Sequence, residues 1–161
     1  MKLHQLFEAQ IQVSQKELKD SISDLLKNVT IDNTHDIPYV AGYSRSGDTI
    51  YIDKSIPKFI KFKNNKLVNI HRYLTVHEIL EKTLLRTHKM NYPHAHQIAL
   101  RLERESVEDD NVSWEEYDYT MQKYIKDVGS RSTYPNIPKD LDLTPYRDEK
   151  DVKLLKMIKN K

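Results

Sequence analysis

His77 and Glu81 stand four residues apart in a stretch whose apolar residues recur at helical spacing. Residues at this spacing share one face of an α-helix, and the same face carries Leu74, Leu80 and Leu84. A glutamate on a buried face loses several kcal/mol of hydration unless it is paired or coordinates a metal. The pattern therefore predicts that another part of the fold supplies a partner for Glu81.

The next predicted helix carries a second histidine and a second glutamate. His96 and Glu103 are seven residues apart, so they also share one helix face. If a loop near residues 88–92 makes the two helices antiparallel, both pairs reach the same level, because a helix rises about 1.5 Å per residue. His77, Glu81, His96 and Glu103 are therefore the predicted components of a divalent-metal site.

The absence of cysteine limits the ligands that such a metal can have. Without thiolates, the site must use histidine, carboxylate, carbonyl or water, and zinc accepts these ligands. The alternative is a buried ion-pair network without a metal, in which histidine or arginine neutralises each glutamate and sets the register of the helices. The arginines considered for that role are Arg72, Arg86, Arg101 and Arg104.

Residues 77–81, His-Glu-Ile-Leu-Glu, resemble the zincin metallopeptidase motif, in which one helix supplies two metal ligands at positions i and i+4. The resemblance implies that His77 and Glu81 are ligands, that His96 is the third ligand, and that Glu78 is the general base. This sequence departs from the motif, because Glu81 replaces the second histidine. The more acidic ligand set also suits manganese or iron.

A wider resemblance covers residues 39–125, about half of the chain. This part looks like a family of uncharacterised phage and proteobacterial proteins, and the resemblance implies a phage or prophage origin but no particular activity. The segments that carry it are Ala41-Gly-Tyr-Ser, Tyr51-Ile-Asp, Val76-His-Glu, Tyr92-Pro-His-Ala-His-Gln-Ile-Ala with Glu103, and Val112-Ser-Trp.

Two functions fit these residues. The first is a metal-dependent, peptidase-like hydrolase with a peptide or protein substrate, which needs an open coordination position; Glu103 as fourth ligand would close the site and make it structural. The second is a non-enzymatic phage accessory or virion-associated protein whose His/Glu cluster only fastens helices together. The orientation of the Glu78 side chain distinguishes the two functions. A general base faces the metal, whereas a capping box with Thr75 would turn Glu78 toward the start of the helix.

The elements that position these residues form a predicted α+β domain that is mainly helical. A long amphipathic helix over residues 1–28 precedes the core, and its apolar stripe could pack on the domain or mediate self-association. The core spans residues 37–128, and polar residues 28–36 lead into it. Residues 129–161 are loop-rich and end on a short basic helix, which completes a single domain over residues 1–161.

Within the core, the sequence predicts a small antiparallel β-hairpin or a three-stranded sheet, followed by three helices. Residues 37–43 and 49–53 are rich in β-formers and flank Gly47, which suits a hairpin turn. Phe59 to Ile70 is a third strand or is partly helical, with a turn at Asn64-Asn65. The helices begin near His71, Asn91 and Ser113, and the zincin resemblance implies a minimal version of that architecture.

Charge and hydropathy restrict the partners of the chain. There are 26 basic and 24 acidic residues, so the net charge of +2 does not predict a nucleic-acid partner. The cluster Lys58, Lys61, Lys63 and Lys66 alternates with apolar residues, as on the exposed face of an edge strand. No apolar run suits a signal peptide or a membrane span, so we expect a cytoplasmic protein, in the host cytoplasm during infection or in the virion if it comes from a phage.

Overall fold

The computed structural model describes residue 20 and residues 23–144 of the chain. The predicted α+β class, mainly helical with small sheets, is confirmed. Residues 23–28 are helical, whereas the rest of the helix predicted over residues 1–28 lies almost wholly outside the described residues. The basic helix predicted near the end of the chain also lies outside them.

A three-stranded sheet contains the predicted hairpin. Strands β2 (Ala41–Tyr43) and β3 (Thr49–Ile52) pair antiparallel, and Gly47 in the turn has a φ of +83°. The third strand is β1 (Thr30–Asp32), which pairs in parallel with β3 and gives the order β1-β3-β2. The sequence indicated only a polar segment over residues 28–36, so strand β1 was not predicted.

The segment predicted as a third strand forms a separate two-stranded hairpin instead. Its strands are β4 (Phe59–Lys61) and β5 (Leu67–Asn69), and Asn65 in the connecting turn has a φ of 62°. Ile60 pairs with Val68, which is buried, while the side chains on the opposite face are largely exposed. The predicted turn and the exposed face with lysine are therefore present, but they belong to a second sheet.

Three helices follow this hairpin, close to the predicted starting points. They are α1 (Ile70–Arg86), α2 (Tyr92–Asp109) and α3 (Trp114–Gly129). Asn91 caps α2 by accepting a hydrogen bond from the His94 amide, and Ser113 caps α3 by accepting one from the Glu116 amide. The Glu116 carboxylate accepts a hydrogen bond from the amide of Lys63, which ties the start of α3 to the turn after β4.

Helix α1 lies at the centre of the core, between the three-stranded sheet and α2. Its Ile79, Leu80 and Leu84 are almost fully buried in the cluster that also contains Ile50 and Ile52 of the sheet. Since the helix is enclosed on much of its circumference, several of its polar residues are buried as well, namely His71, Thr75, His77, Glu78 and Glu81. Among the described residues, no helix is long and apolar enough to cross a membrane.

Candidate metal centre

Three side chains from α1 and α2 converge in the interior. The Nε2 atom of His77 lies 3.3 Å from the Oε2 atom of Glu81 and 3.3 Å from the Nδ1 atom of His96. The distance between His96 Nδ1 and Glu81 Oε2 is 3.0 Å. His77 and Glu81 are buried and His96 is half-buried, and together they form a group that can hold a metal ion.

The spacing of these three atoms suits a shared cation. Ligands of one tetrahedral zinc ion at about 2.0–2.1 Å are separated from each other by roughly 3.3–3.4 Å. The separations of 3.0–3.3 Å lie at or just below that value. In addition, Glu81 Oε1 and Glu78 Oε2 are buried atoms without a hydrogen-bond partner, which is costly unless a cation or water satisfies them. The donor set therefore fits a divalent metal.

Glu103 lies on the other side of the His77 ring. Its Oε2 atom is 2.7 Å from His77 Nδ1, and its Oε1 atom accepts a hydrogen bond from the Tyr117 hydroxyl at 2.6 Å. Both oxygens of the carboxylate are thus used for hydrogen bonds, and the three-residue group does not include it. Since His77 meets Glu103 while Glu81 meets His96, α1 and α2 run antiparallel, as predicted.

Without a cation, the histidine and the glutamates form a buried ion pair. Burial alone would lower the pKa of His77, but the charge of Glu103 and the hydrogen bonds to Glu103 and Glu81 raise it well above the ordinary value. Burial alone would raise the pKa of Glu81, but the hydrogen bonds from His77 and His96 lower it. A metal ion therefore has to replace the proton on Nε2 of His77 when it binds, while the Nδ1 proton stays on the ring beside Glu103.

Glu78 belongs to the same cavity and does not cap the helix. Helix α1 begins at Ile70, so Thr75 lies inside it and donates to the carbonyl of His71 at 2.7 Å. The capping box considered from the sequence is therefore not formed. Burial, with a smaller contribution from the charge of Glu81, raises the pKa of Glu78 to about 8, although His77 opposes the shift.

A cavity of about 420 Å³ opens onto this cluster. The residues that line it include His77, Glu78 and Glu81 and the segment 38–41 that leads into β2. Helices α2 and α3 supply the apolar and aromatic part of the lining, called the apolar wall, which contains Tyr92, Leu100, Trp114, Met121 and Ile125. The cluster thus adjoins a space large enough for part of a peptide.

The other residues considered from the sequence are placed elsewhere. Among residues 23–144, no arginine forms a salt bridge with a glutamate of the cluster; Arg86 binds Asp142 and Arg104 binds Glu108. Asp53, which ends the Tyr51-Ile-Asp segment, accepts two hydrogen bonds from Arg131, at 2.8 and 2.9 Å.

Two aromatic residues extend the site beyond the predicted set. The ring of Tyr92 stacks on His96 with 5.6 Å between ring centroids. Tyr117 was not among the predicted site residues, and its hydrogen bond to Glu103 was missed. A tyrosine within a buried stripe is a weak signal of such a role, since its hydroxyl needs a partner.

Comparison with known proteins gives no family for this chain: no family model, no curated protein and no solved structure matches it. The function therefore has to be argued from the site itself.

Proposed function

We propose that the chain is a divalent-metal-dependent hydrolase that cleaves peptide bonds, with a site of the zincin kind. The observation that carries the proposal is the cluster of His77, Glu81 and His96, together with a buried Glu78 that lines the same cavity and has an unpartnered oxygen. Three protein ligands leave a coordination position for water or substrate, as in catalytic rather than structural zinc sites.

The four predicted metal-site residues take two different roles in this proposal. His77, Glu81 and His96 hold the cation, and Glu103 orients His77 through its Nδ1 atom. A carboxylate behind a coordinating histidine fixes the tautomer and raises the basicity of the ring. We expect zinc, while the carboxylate of Glu81 also allows manganese or iron.

Glu78 is the proposed general base. A bound cation would polarise the substrate carbonyl and lower the pKa of a water molecule. Glu78 accepts the proton of that water as the oxygen adds to the carbonyl carbon, and it returns the proton to the amide nitrogen as the carbon–nitrogen bond breaks. Glu78 suits this role by its position, because it lines the same cavity as the three ligand residues and has a buried oxygen without a hydrogen-bond partner.

A structural role is the second candidate, and one observation favours it. The contacts His77–Glu103 and His96–Glu81 join α1 to α2 without a cation. Such a network could fasten the two helices in a non-enzymatic protein, such as a phage accessory or virion-associated protein. It leaves Glu78 Oε2 and Glu81 Oε1 unsatisfied, which the metal site explains better.

Metal content decides between the two. Elemental mass spectrometry on protein purified without chelator should find about one zinc, manganese or iron per chain, retained in Glu78→Gln and lost in His77→Ala. His94→Ala is the matched control, because His94 lies exposed at the start of α2 and should leave the metal in place. The hydrolase function is supported if the chain binds about one metal ion and hydrolyses peptides, and if Glu78→Gln abolishes the hydrolysis. No bound metal after zinc or manganese is added would leave only the structural role.

A further inference from the structure

The charged residues that line the cavity all carry the same sign, apart from the two histidines. They are the carboxylates Glu78, Glu81, Glu103 and Asp118, and no lysine or arginine lines the cavity among the described residues. Even if Glu78 is left out because its pKa is raised to about 8, a divalent cation would offset only two of the three remaining formal charges. The cavity therefore attracts cationic groups and repels anionic ones, and its apolar walls strengthen the effect by focusing the field.

Asp118 lies on α3, whereas the metal cluster lies on α1 and α2, and its neighbours in the cavity lining include residues of the apolar wall. Trp114, Asp118 and Gln122 follow one another at intervals of four on α3, so they share one face of the helix, and all three line the cavity. The carboxylate of Asp118 accepts a hydrogen bond from Gln122 at 3.2 Å and lies at a half-buried position. A carboxylate in this position can bind a cationic side chain whose apolar neighbour contacts Leu100, Met121 and Ile125 of the same lining.

A nearby cation does not neutralise this wall. Arg104 lies over the ring of Trp114, with 6.0 Å between its guanidinium carbon and the ring centroid. Its guanidinium donates to Glu108 at 2.9 Å, and Arg104 is not part of the cavity lining.

We propose that the cavity selects peptide segments in which a lysine or arginine adjoins a bulky apolar residue, and that it rejects segments with acidic residues, phosphate groups or a free C-terminal carboxylate nearby. The inference rests on the proposed function, since it names the substrate class of the same site. Asp118 is the specificity residue for the cationic side chain, and the wall of Leu100, Met121 and Ile125 takes the apolar one.

The single tryptophan of the chain provides the readout, because Trp114 lines the cavity. Two blocked pentapeptides with the same Leu-Phe centre, one flanked by lysine and one by glutamate, are titrated against the full-length chain while its fluorescence is recorded. The titrations use the Glu78→Gln variant of the chain, with and without zinc, so that the peptides are not cleaved during the measurement. We expect the lysine peptide to bind about tenfold more tightly or better, as for one charge contact near a protein surface.

The variants assign this preference to one residue. Asp118→Asn should reduce the ratio of the two affinities by about threefold or more, because it removes one charge contact. Asp127→Asn, an exposed change of the same kind on α3 but outside the cavity lining, should leave the ratio unchanged. Equal affinities, a preference for the glutamate peptide, no binding of either peptide, or a ratio insensitive to Asp118→Asn would overturn the proposal. If the chain binds the lysine peptide selectively but takes up no metal or cleaves no peptide, the proposed hydrolase function is wrong, whereas the proposed binding preference is supported.

Discussion

The Nδ1 atom of His77 lies 2.7 Å from the carboxylate of Glu103, while the Nε2 atom of the same ring faces Glu81 and His96. A carboxylate that accepts a hydrogen bond from one ring nitrogen keeps the proton on that atom and leaves the other nitrogen as the ligand. Tyr117 in turn holds Glu103 through a hydrogen bond of 2.6 Å. The orientation of His77 is thus set from the third helix of the core.

The first prediction concerns this chain of hydrogen bonds. Glu103→Gln keeps the size of the side chain but removes the charge that holds the His77 proton, so zinc affinity should fall about 10–100-fold. Tyr117→Phe removes one hydrogen bond to Glu103 and should lower the affinity by about tenfold or less. Competition with a chromophoric chelator measures both affinities.

Asp109→Asn is the control for these variants, because Asp109 is exposed on the same helix as Glu103. Its zinc affinity should equal that of the wild type. If Glu103→Gln binds zinc as tightly as the wild type, Glu103 does not orient His77. If it loses zinc as completely as His77→Ala, Glu103 is itself a ligand.

The helices could be predicted from the sequence because their signals are local. The apolar spacing that includes Leu74, Leu80 and Leu84 marks the buried face of α1, and Asn91 and Ser113 supply the caps of the next two helices. The same spacing places His77 and Glu81 on one face, so their convergence follows from helix geometry alone.

The rest depends on contacts between residues that are distant in the sequence. Strand β1 has only three residues and pairs in parallel with β3, so no local alternation marks it. The spacing of Glu103 places it on the correct helix face, but only the packing of α2 against α1 decides which edge of the His77 ring it meets. The pairing of Asp53 with Arg131 likewise joins two loops that are 78 residues apart.

The second prediction tests the core that supports the site. Leu80 lies in the sequence of α1 between His77 and Glu81, and its side chain is fully buried. Leu80→Ala leaves a cavity and should therefore lower the free energy of unfolding by about 2–5 kcal/mol. Leu67→Ala is the matched control, since 64% of Leu67 is exposed, and it should change stability by at most about 0.5 kcal/mol. Urea unfolding followed by circular dichroism gives both values. Similar losses in the two variants would contradict the burial of Leu80.

The third prediction contrasts two glycines. Gly47 has a φ of +83°, and a Cβ atom there would lie 2.7 Å from the Lys82 ammonium group, which donates to the Gly47 carbonyl. Gly47→Ala should therefore destabilise the chain by about 1 kcal/mol or more. Gly129 ends α3, and a Cβ atom there would meet nothing within 4 Å, so Gly129→Ala should be neutral or stabilise by up to about 1 kcal/mol. Thermal unfolding measures both changes, and the same sign for both would refute the turn geometry.

The fourth prediction concerns acid stability and the pair of Asp53 with Arg131. Burial alone would raise the pKa of Asp53, but hydrogen bonds from Arg131, Ser55 and the Ile37 amide outweigh it and lower the pKa. The folded chain therefore holds the Asp53 proton less tightly than the unfolded chain does. The resulting stability is present above the unfolded pKa of about 3.9 and is lost as the pH falls through the lower folded value.

Asp53→Asn should remove this part of the pH dependence. At neutral pH the variant should be less stable by about 1.5–3 kcal/mol, because hydrogen bonds to a charged group are lost. Between about pH 5 and about pH 3 its stability should fall less steeply than that of the wild type, although Asp142, whose pKa is also lowered, preserves part of the slope. Asp24→Asn, with 82% of the Asp24 side chain exposed, should follow the wild-type curve. Urea unfolding at a series of pH values gives these curves, and parallel curves for Asp53→Asn and the wild type would show that the buried pair does not set the acid stability.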